Sequence, residues 1–283
     1  MPEGHVTHRL ARNLTDTFKA EPLRVASPQG RFAEAAALLD GEPLVGAESV
    51  GKHLLVDFVP GTVWIHLGLI GKFQFTHVFP APNPSTLRLR LSDGVTAADL
   101  RGPQWCRLIT AAERAEVVAS SGPDPLRPDA DPARAWAKVR RSRKPFAAVL
   151  MDQAAFAGVG NIFRAEVLFR HRIDPLLPAQ DLPAEVFDAV WADLVLLMGE
   201  AVEVGRIDTV AEEHMPQAMG RDPRVDRHGG EVYVYRRAGL PCYVCGTPVA
   251  TTELAGRHLY WCPTCQPSGA RGEAEIVGSG ANR

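Results

Sequence analysis

The clearest chemistry in the chain is offered by four cysteines near its C-terminal end. Cys242, Cys245, Cys262 and Cys265 follow the pattern C-x2-C-x16-C-x2-C, and thiolates at that spacing suit one tetrahedral Zn²⁺ held by two knuckles. Four protein ligands leave no position open to substrate, so the spacing predicts a structural metal, contributing on the order of 10 kcal/mol of coupled folding energy. Two disulfides are the alternative. Cys106 stands alone and is expected to be a packed thiol. At the opposite end, Pro2 and Glu3 follow the initiator Met1. A proline in second place arises by chance at about the 5% background of this residue. Once Met1 is removed, however, Pro2 carries a free secondary amine, and its condensation with a sugar aldehyde carbon gives an iminium that has no N–H proton to lose. Such a cation is an electron sink that favours elimination of neighbouring phosphates. Glu3 beside it could protonate a departing sugar oxygen. Lys52, in GKHLL, is either a neutraliser of a nearby phosphate or an ordinary surface lysine.

Three further places could meet an anion or a base stack. In QAAFAGVGNIFRAEVLF, two glycines precede Asn161, which could cap a helix beginning at Ile162 while the amides there face a phosphate. Such turns also occur in proteins that bind nothing. On that helix Ile162, Glu166 and Phe169 share a face. Arg257 follows Ala255 and Gly256 between the cysteine pairs, where a hairpin tip would let it fork onto a phosphate or leave it solvated. Leu69 and Ile70, in LGLIG, end an apolar run and are either core or an apolar wedge for a base stack. The formal net charge is -2, which alone argues mildly against a nucleic-acid partner. Between Pro132 and Pro175, though, nine Lys/Arg face three acids, a local balance of +6 that reads as the footprint of an anionic polymer.

The elements that must position these groups can be read from periodicity. With 283 residues, 46% of them hydrophobic, the chain can bury a sizeable core in about two domains. Val6, Leu10, Leu14 and Phe18 put an apolar stripe on an opening helix. From 50 to 99 short strands follow, clearest where Leu87, Leu89 and Leu91 alternate with Arg88 and Arg90. The reading is an α+β multidomain protein: an N-terminal catalytic domain over 1–119, a Pro/Asp/Ser/Gly-rich linker at 120–132, a helical domain over 133–231, a cysteine module at 232–266 and a disordered tail at 267–283. Helical patterns run through DPARAWAKVRRSR, KPFAAVLMDQAAF, NIFRAEVLFRHR and PAEVFDAVWADLVLLMGEAVEVG. The aperiodic stretch 207–231 predicts a long functional loop. The N-terminus has no basic and apolar leader, and no run approaches the roughly 18 apolar residues of a membrane span, so a cytoplasmic protein without membrane contact is expected.

Taken together, these residues resemble the formamidopyrimidine-DNA glycosylase and endonuclease VIII family. The resemblance runs in order through MPEGH, GKHLL, HLGLIGKF, LMDQAAFAGVGNIFRAEVLFRHRIDP, VYRRAGLPC and GRHLYWCPTCQ. It implies an N-terminal β-sandwich with a leading helix, a helix-two-turn-helix DNA-binding domain and a zinc-ribbon hairpin. It further implies Pro2 as the amine nucleophile, Glu3 as the acid working on the sugar ring, and Lys52, Asn161 and Arg257 as the phosphate-binding set. Lys52 and Arg257 then count among the catalytic residues as well. The four cysteines match the zinc ligands of the family. The implied protein is a monomeric glycosylase and abasic-site lyase acting on damaged DNA, associated with the nucleoid when bound, with one structural Zn²⁺ and no organic cofactor.

Departures bear on the substrate. The family usually carries a second glutamate where this chain has Val6. Purine-specific members place a methionine after HLG and draw an arginine and a phenylalanine from a D-x-R-R-F-G loop. Here Leu69 follows HLG, and the second stretch reads ADLRGPQWC. With the PEGH opening, this points to oxidised pyrimidines, the alternative being 8-oxoguanine and formamidopyrimidine. A zinc-ribbon protein that recognises damage without chemistry would follow from a blocked N-terminus. An RNA-binding protein using the helical module alone explains neither Pro2 and Glu3 nor Arg257.

Overall fold

The computed structural model describes residues 2–78, 83–226 and 230–278. The chain divides into two compact units, Met1–Ser121 and Gly122–Arg283.

The first unit opens with helix α1 (Gly4–Phe18), followed by β1 (Arg24–Ala26), α2 (Ala33–Leu39), β2 (Leu44–Val50), β3 (His53–Phe58), β4 (Gly61–His66), β5 (Lys72–His77), β6 (Leu87–Ser92), β7 (Thr96–Arg101), β8 (Trp105–Ile109) and α3 (Ala111–Ser120). Two four-stranded antiparallel sheets, ordered β1-β6-β7-β5 and β2-β3-β4-β8, form a sandwich. One core joins Leu54, Val56, Val63 and Ile65 of one sheet to Leu89, Leu91, Ala98 and Leu100 of the other. The stripe of α1 delivers Leu10, Leu14 and Phe18 into that core, with Val6 packed at its margin. Strand alternation does the same on β6, where Leu87, Leu89 and Leu91 are buried between half-buried Arg88 and Arg90. Cys106 is buried, and burial pushes its thiol up to about 12, as a packed thiol requires.

The second unit carries α4 (Pro132–Val139), α5 (Phe146–Val149), α6 (Asn161–Arg170), α7 (Ala184–Val204), α8 (Pro216–Met219) and a hairpin of β9 (Ala250–Leu254) and β10 (Arg257–Trp261). Helix α5 is much shorter than the pattern KPFAAVLMDQAAF suggests. Polar side chains take over the backbone after Leu150: Asp152 accepts the Ala154 N–H at 3.0 Å, Gln153 donates to the Val159 carbonyl at 2.9 Å and accepts the Gly158 N–H at 3.1 Å. Local bonds of this kind compete with the helical ladder. The cysteine module has no core of its own. Cys242, Val249, Leu259 and Cys262 belong to the same buried cluster as Phe163, Phe169 and Phe187. Among the described residues, no helix is long and apolar enough to cross a membrane.

Two segments differ from the sequence expectation. The expected interdomain linker at 120–132 contains the division between the units, but its start is packed, because 121–125 are buried and the Gly122 amide donates to the Gln153 carbonyl at 2.9 Å. A Cβ at Gly122 would lie 2.6 Å from the Ala154 backbone, so only glycine allows that approach. The tail is ordered over 267–278, where the amides of Asp174, Glu273 and Val277 bond to the carbonyls of Ala270, His171 and Arg170 at 2.9 Å each. Val277 adds an apolar anchor, buried in the same core as Phe163 and Phe187. Residues 279–283 of the expected disordered tail, Met1 and 227–229 of the expected loop lie outside the described residues.

Candidate nucleic-acid interface and active site

The candidate residues fall into two groups, one in each unit. In the first unit, Glu3 is the N-cap of α1 in extended conformation, its carbonyl accepting the Val6 N–H at 2.9 Å, and Pro2 lies directly before it. Glu3 is wholly buried and His5 nearly so. Burial, reinforced by Arg9 and His8, drops the His5 imidazole to about 4, so it is neutral at physiological pH. Thr7 ties this helix start to the β2–β3 turn by donating to both the Gly4 and Gly51 carbonyls at 2.9 Å. Gly51 has φ +61°, the left-handed conformation that turns the chain there. Lys52 follows on that turn. The structure thus brings the start of α1, with Pro2 and Glu3, to the turn that carries Lys52.

The Lys52 charge also acts on two imidazoles, His53 at the start of β3 and His66 at the end of β4. Burial first, then His66 and the Lys52 charge, lower His53 to about 4. His66 is lowered by burial and by Lys52, against a hydrogen bond with Gln104. Its ring stacks on Trp105 with centroids 4.5 Å apart, and its Nδ1 accepts the Gly68 N–H at 3.1 Å. That bond fixes the 67–71 loop, which the Gly71 amide closes onto the Leu67 carbonyl at 3.0 Å. A Cβ on Gly71 would stand 2.2 Å from that carbonyl oxygen. Leu69 and Ile70 therefore project from a braced turn, 61% and 79% exposed. The core reading of these two residues does not hold.

In the second unit, Asn161 is not the cap of α6. Gly160 occupies that position and Asn161 is the first helical residue. Its side chain instead donates to the His258 carbonyl at 3.0 Å and accepts a hydrogen bond from Arg164, which also donates to the His258 carbonyl at 2.9 Å. Helix α6 and the hairpin are locked together here, which brings Asn161 beside the residue that follows Arg257. Arg257 opens β10 and is exposed, after a turn in which Ala255 and Gly256 adopt φ +51° and +71°. The sulfurs of Cys242, Cys245, Cys262 and Cys265 all lie within 4.8 Å of one another, with the Cys245–Cys262 and Cys242–Cys265 pairs at 3.4 and 3.9 Å. Zn–S bonds of about 2.3 Å at tetrahedral angles need comparable separations, and all five cysteines are free of disulfides. A hydrogen bond from the Cys265 thiol, joined by bonds from the Cys245 and Val244 amides, lowers Cys242 against the opposing effect of burial.

Comparison with known proteins follows this geometry. The formamidopyrimidine-DNA glycosylase N-terminal domain matches residues 1–104, the formamidopyrimidine-DNA glycosylase H2TH domain residues 121–212, and the zinc finger found in FPG and IleRS residues 239–267. Endonuclease 8 1 of Mycobacterium tuberculosis is 46% identical over 274 residues, which cover 94% of this chain and 100% of the relative. The chain belongs to the formamidopyrimidine-DNA glycosylase and endonuclease VIII family. The formamidopyrimidine-DNA glycosylase of Thermus thermophilus is 31% identical over 281 residues, covering 95% of this chain and 98% of the relative. Lactococcus lactis Fpg in complex with abasic-site DNA has the same fold, at a TM-score of 0.76 and 21% identity over 93% of this chain and 99% of that one. The same enzyme bound to DNA containing an oxidised pyrimidine gives a TM-score of 0.74 at 21% identity, over 94% and 100%.

Within this family member, two buried residues matter more than sequence reasoning indicated. Arg164 was counted with the basic footprint, yet it is wholly buried and serves the Asn161–hairpin junction. Glu166 accepts from Thr209 Oγ1 at 2.6 Å and from the amides of Tyr233, Val234 and Tyr235 at 2.6, 2.9 and 2.8 Å. It thereby pins to α6 the turn at 233–235 that leads into the zinc finger. The signal for it was a carboxylate in the apolar run NIFRAEVLF, where only a buried set of donors makes a charge tolerable.

Proposed function

We propose that the protein is a bifunctional DNA glycosylase and abasic-site lyase that excises oxidised pyrimidines through the amine of Pro2. The observation that carries this reading is the placement of Pro2 beside a wholly buried Glu3, at a helix start bonded through Thr7 to the Lys52 turn. In the mechanism, removal of Met1 frees the proline amine, which attacks carbon 1 of the deoxyribose of an extruded nucleotide. Glu3 protonates the sugar ring oxygen as the ring opens and the base departs. The resulting iminium acidifies the adjacent carbon, whose proton passes to water, and successive β- and δ-elimination releases both flanking phosphates. Lys52, Asn161 and Arg257 hold the phosphates around the lesion, and Leu69 with Ile70 fills the gap left in the stack. One Zn²⁺ on the four cysteines supports the hairpin that presents Arg257, with no organic cofactor. The protein acts as a monomer, in the cytoplasm and on the nucleoid.

The pyrimidine preference is supported by the higher identity to an endonuclease 8 than to a formamidopyrimidine-DNA glycosylase. It is supported also by the connection from β7 to β8, which is only the three residues 102–104, Gly-Pro-Gln, with no arginine or phenylalanine to insert. Excision of 8-oxoguanine and formamidopyrimidine is the second reading, favoured by the Thermus thermophilus relative. Borohydride trapping against duplexes carrying an oxidised pyrimidine, 8-oxoguanine or a preformed abasic site tests both. Covalent capture on the pyrimidine lesion and the abasic site is expected. Preferential capture on 8-oxoguanine would reverse the preference, and no capture on any substrate would remove the amine mechanism.

A further inference from the structure

The segment Pro132–Lys144 holds six cations, Arg134, Lys138, Arg140, Arg141, Arg143 and Lys144, and no acid. Of the other three cations counted up to Pro175, Arg164 is buried at the hairpin junction, Arg170 pairs with Asp193 at 2.7 Å and Arg172 with Glu273 at 3.5 Å. Arg134, Lys138, Arg140, Arg141, Arg143 and Lys144 are all exposed, so their charge is gathered outward on α4 and the turn after it. Helical spacing puts Arg134, Lys138 and Arg141 on one stripe, the last of them held in register by the bond from its amide to the Lys138 carbonyl.

This stripe forms one wall of a cavity of about 710 Å³, with Lys144 beside it, a floor of small apolar side chains, and Asp152 as its sole acid. Asp152 is engaged with the Ala154 amide, and Lys138 donates to the Ala154 carbonyl, so both belong to the turn that leads to Asn161. The backbone beneath the cations is fixed, since the amides of Ala179 and Gln180 bond to the carbonyls of Lys144 and Ser142 at 2.9 Å each. No buried polar group lines the floor to strip water from a small ligand; the charge sits on an exposed rim. A rim of that kind suits a polyanion, whose phosphates are met by several partly hydrated cations at once. From Arg134 to Arg141 the stripe rises about 10 Å at 1.5 Å per residue, while a DNA strand presents one phosphate per about 3.4 Å of axis.

We propose that this groove is a second backbone-phosphate site, which holds the DNA strand some distance from the phosphate gripped by Asn161 and Arg257. The assignment rests on the reading of the protein as a DNA-binding glycosylase and extends its footprint. Ala155, on the wall of the groove, is six residues from Asn161, a chain reach of at most about 20 Å. The phosphate it holds lies within about six nucleotide steps of the gripped one.

The test is Arg141→Gln with Lys144→Gln, which leaves Lys138 to hold the turn. On a duplex of about thirty pairs with a central lesion, the slope of log Kd against log salt should shrink by about 2, because each phosphate contact contributes about 0.9. Damaged and undamaged duplexes should weaken alike, and excision at saturating DNA should stay at the wild-type rate. Trimming one flank to fewer than about six pairs should bring variant and wild type together. An unchanged salt slope would overturn the proposal, as would wild-type binding displaced by inorganic phosphate as effectively as by competitor duplex. If the double variant does not fold, Arg141→Gln alone is expected to give half the change. A wild type that binds DNA with the full salt slope but excises no lesion would remove the glycosylase reading and leave the groove to be judged on the slope.

Discussion

The two units bury polarity in different ways. In the second unit, polar groups run through the middle of the core: Arg164, Glu166, Arg170, His171, Asp193 and Thr209 are all buried, and Arg170 meets Asp193 through paired bonds of 2.7 and 2.8 Å. In the first unit the core between the sheets is apolar; buried Glu3, His5, Thr7 and Ser49 gather at the start of α1 and the turn bonded to it, while Asp99, buried in β7, is paired with Arg90 and Arg101. The comparison teaches where each half of the activity is built. Under the proposed function, the grip on DNA would depend on buried residues that fix the angle of a helix and a hairpin, and the chemistry on a few residues at the start of α1.

The contrast can be broken at the metal first. Chelation or Cys262→Ser should remove Zn²⁺ and destabilise the second unit by as much as about 10 kcal/mol, because Cys242 and Cys262 share the helical core rather than a separate one. DNA binding should be lost with it. Calorimetry should show the transition of the first unit unmoved; a metal-free protein with wild-type DNA affinity would contradict this. Glu166→Gln comes next. It removes the charge that accepts four hydrogen bonds and turns an amide towards backbone N–H groups, so a loss of about 3–5 kcal/mol is expected in denaturant unfolding. A loss under about 1 kcal/mol would mean that Glu166 is not what holds the 233–235 turn to α6.

Acid should separate the units. His5 has an ordinary value of 6.5 and falls to about 4 in the folded protein, so the unfolded chain takes up the proton first. Its contribution is complete above pH 6.5 and is lost as pH falls towards 4, by on the order of 3 kcal/mol. His53 acts in the same direction. Asp193 behaves otherwise: burial opposes its ionisation, but hydrogen bonds from His171 and Arg170 hold it below 3.8. Its contribution persists until pH falls through 3.8. Between pH 6.5 and 4 the first unit should therefore soften while this pair in the second stays intact, and His5→Gln should flatten the loss. Equal softening of both units would contradict the assignment. The smallest effect is expected from Thr7→Val, about 1 kcal/mol for the lost hydroxyl bonds, with weaker DNA affinity as the Lys52 turn loosens. Unchanged affinity would separate Lys52 from the helix start.

Much of this was legible in the sequence where one period or one spacing decides the outcome. Leu10, Leu14 and Phe18 recur at the helical period, Leu87, Leu89 and Leu91 at the strand period, and the four cysteines at knuckle spacing. What escaped depends on partners distant in the chain. Residues 267–278 look too polar to pack, yet their order comes from backbone bonds to 170–174 and from Val277, which is buried in the second unit's core. Asn161 has the right type for a cap, but the His258 carbonyl, 97 residues away, claims its side chain. Arg164 reads as surface charge until the hairpin covers it. Leu69 and Ile70 could be core or wedge by type alone, and only the bracing of their turn by His66 leaves them outside.

The central claim is that Pro2 is the nucleophile, and one measurement tests it most directly. A protein retaining one extra residue ahead of Pro2 is compared with the processed form in borohydride trapping on duplex carrying an oxidised pyrimidine. Blocking converts the amine into an amide without a basic lone pair, while the buried Glu3, the Lys52 turn and the whole second unit are untouched. The blocked protein is expected to bind the damaged duplex with the affinity of the processed one, yet to form no covalent complex and cut no strand. Base excision by the blocked protein at the normal rate would contradict the account and require an activated water in place of Pro2.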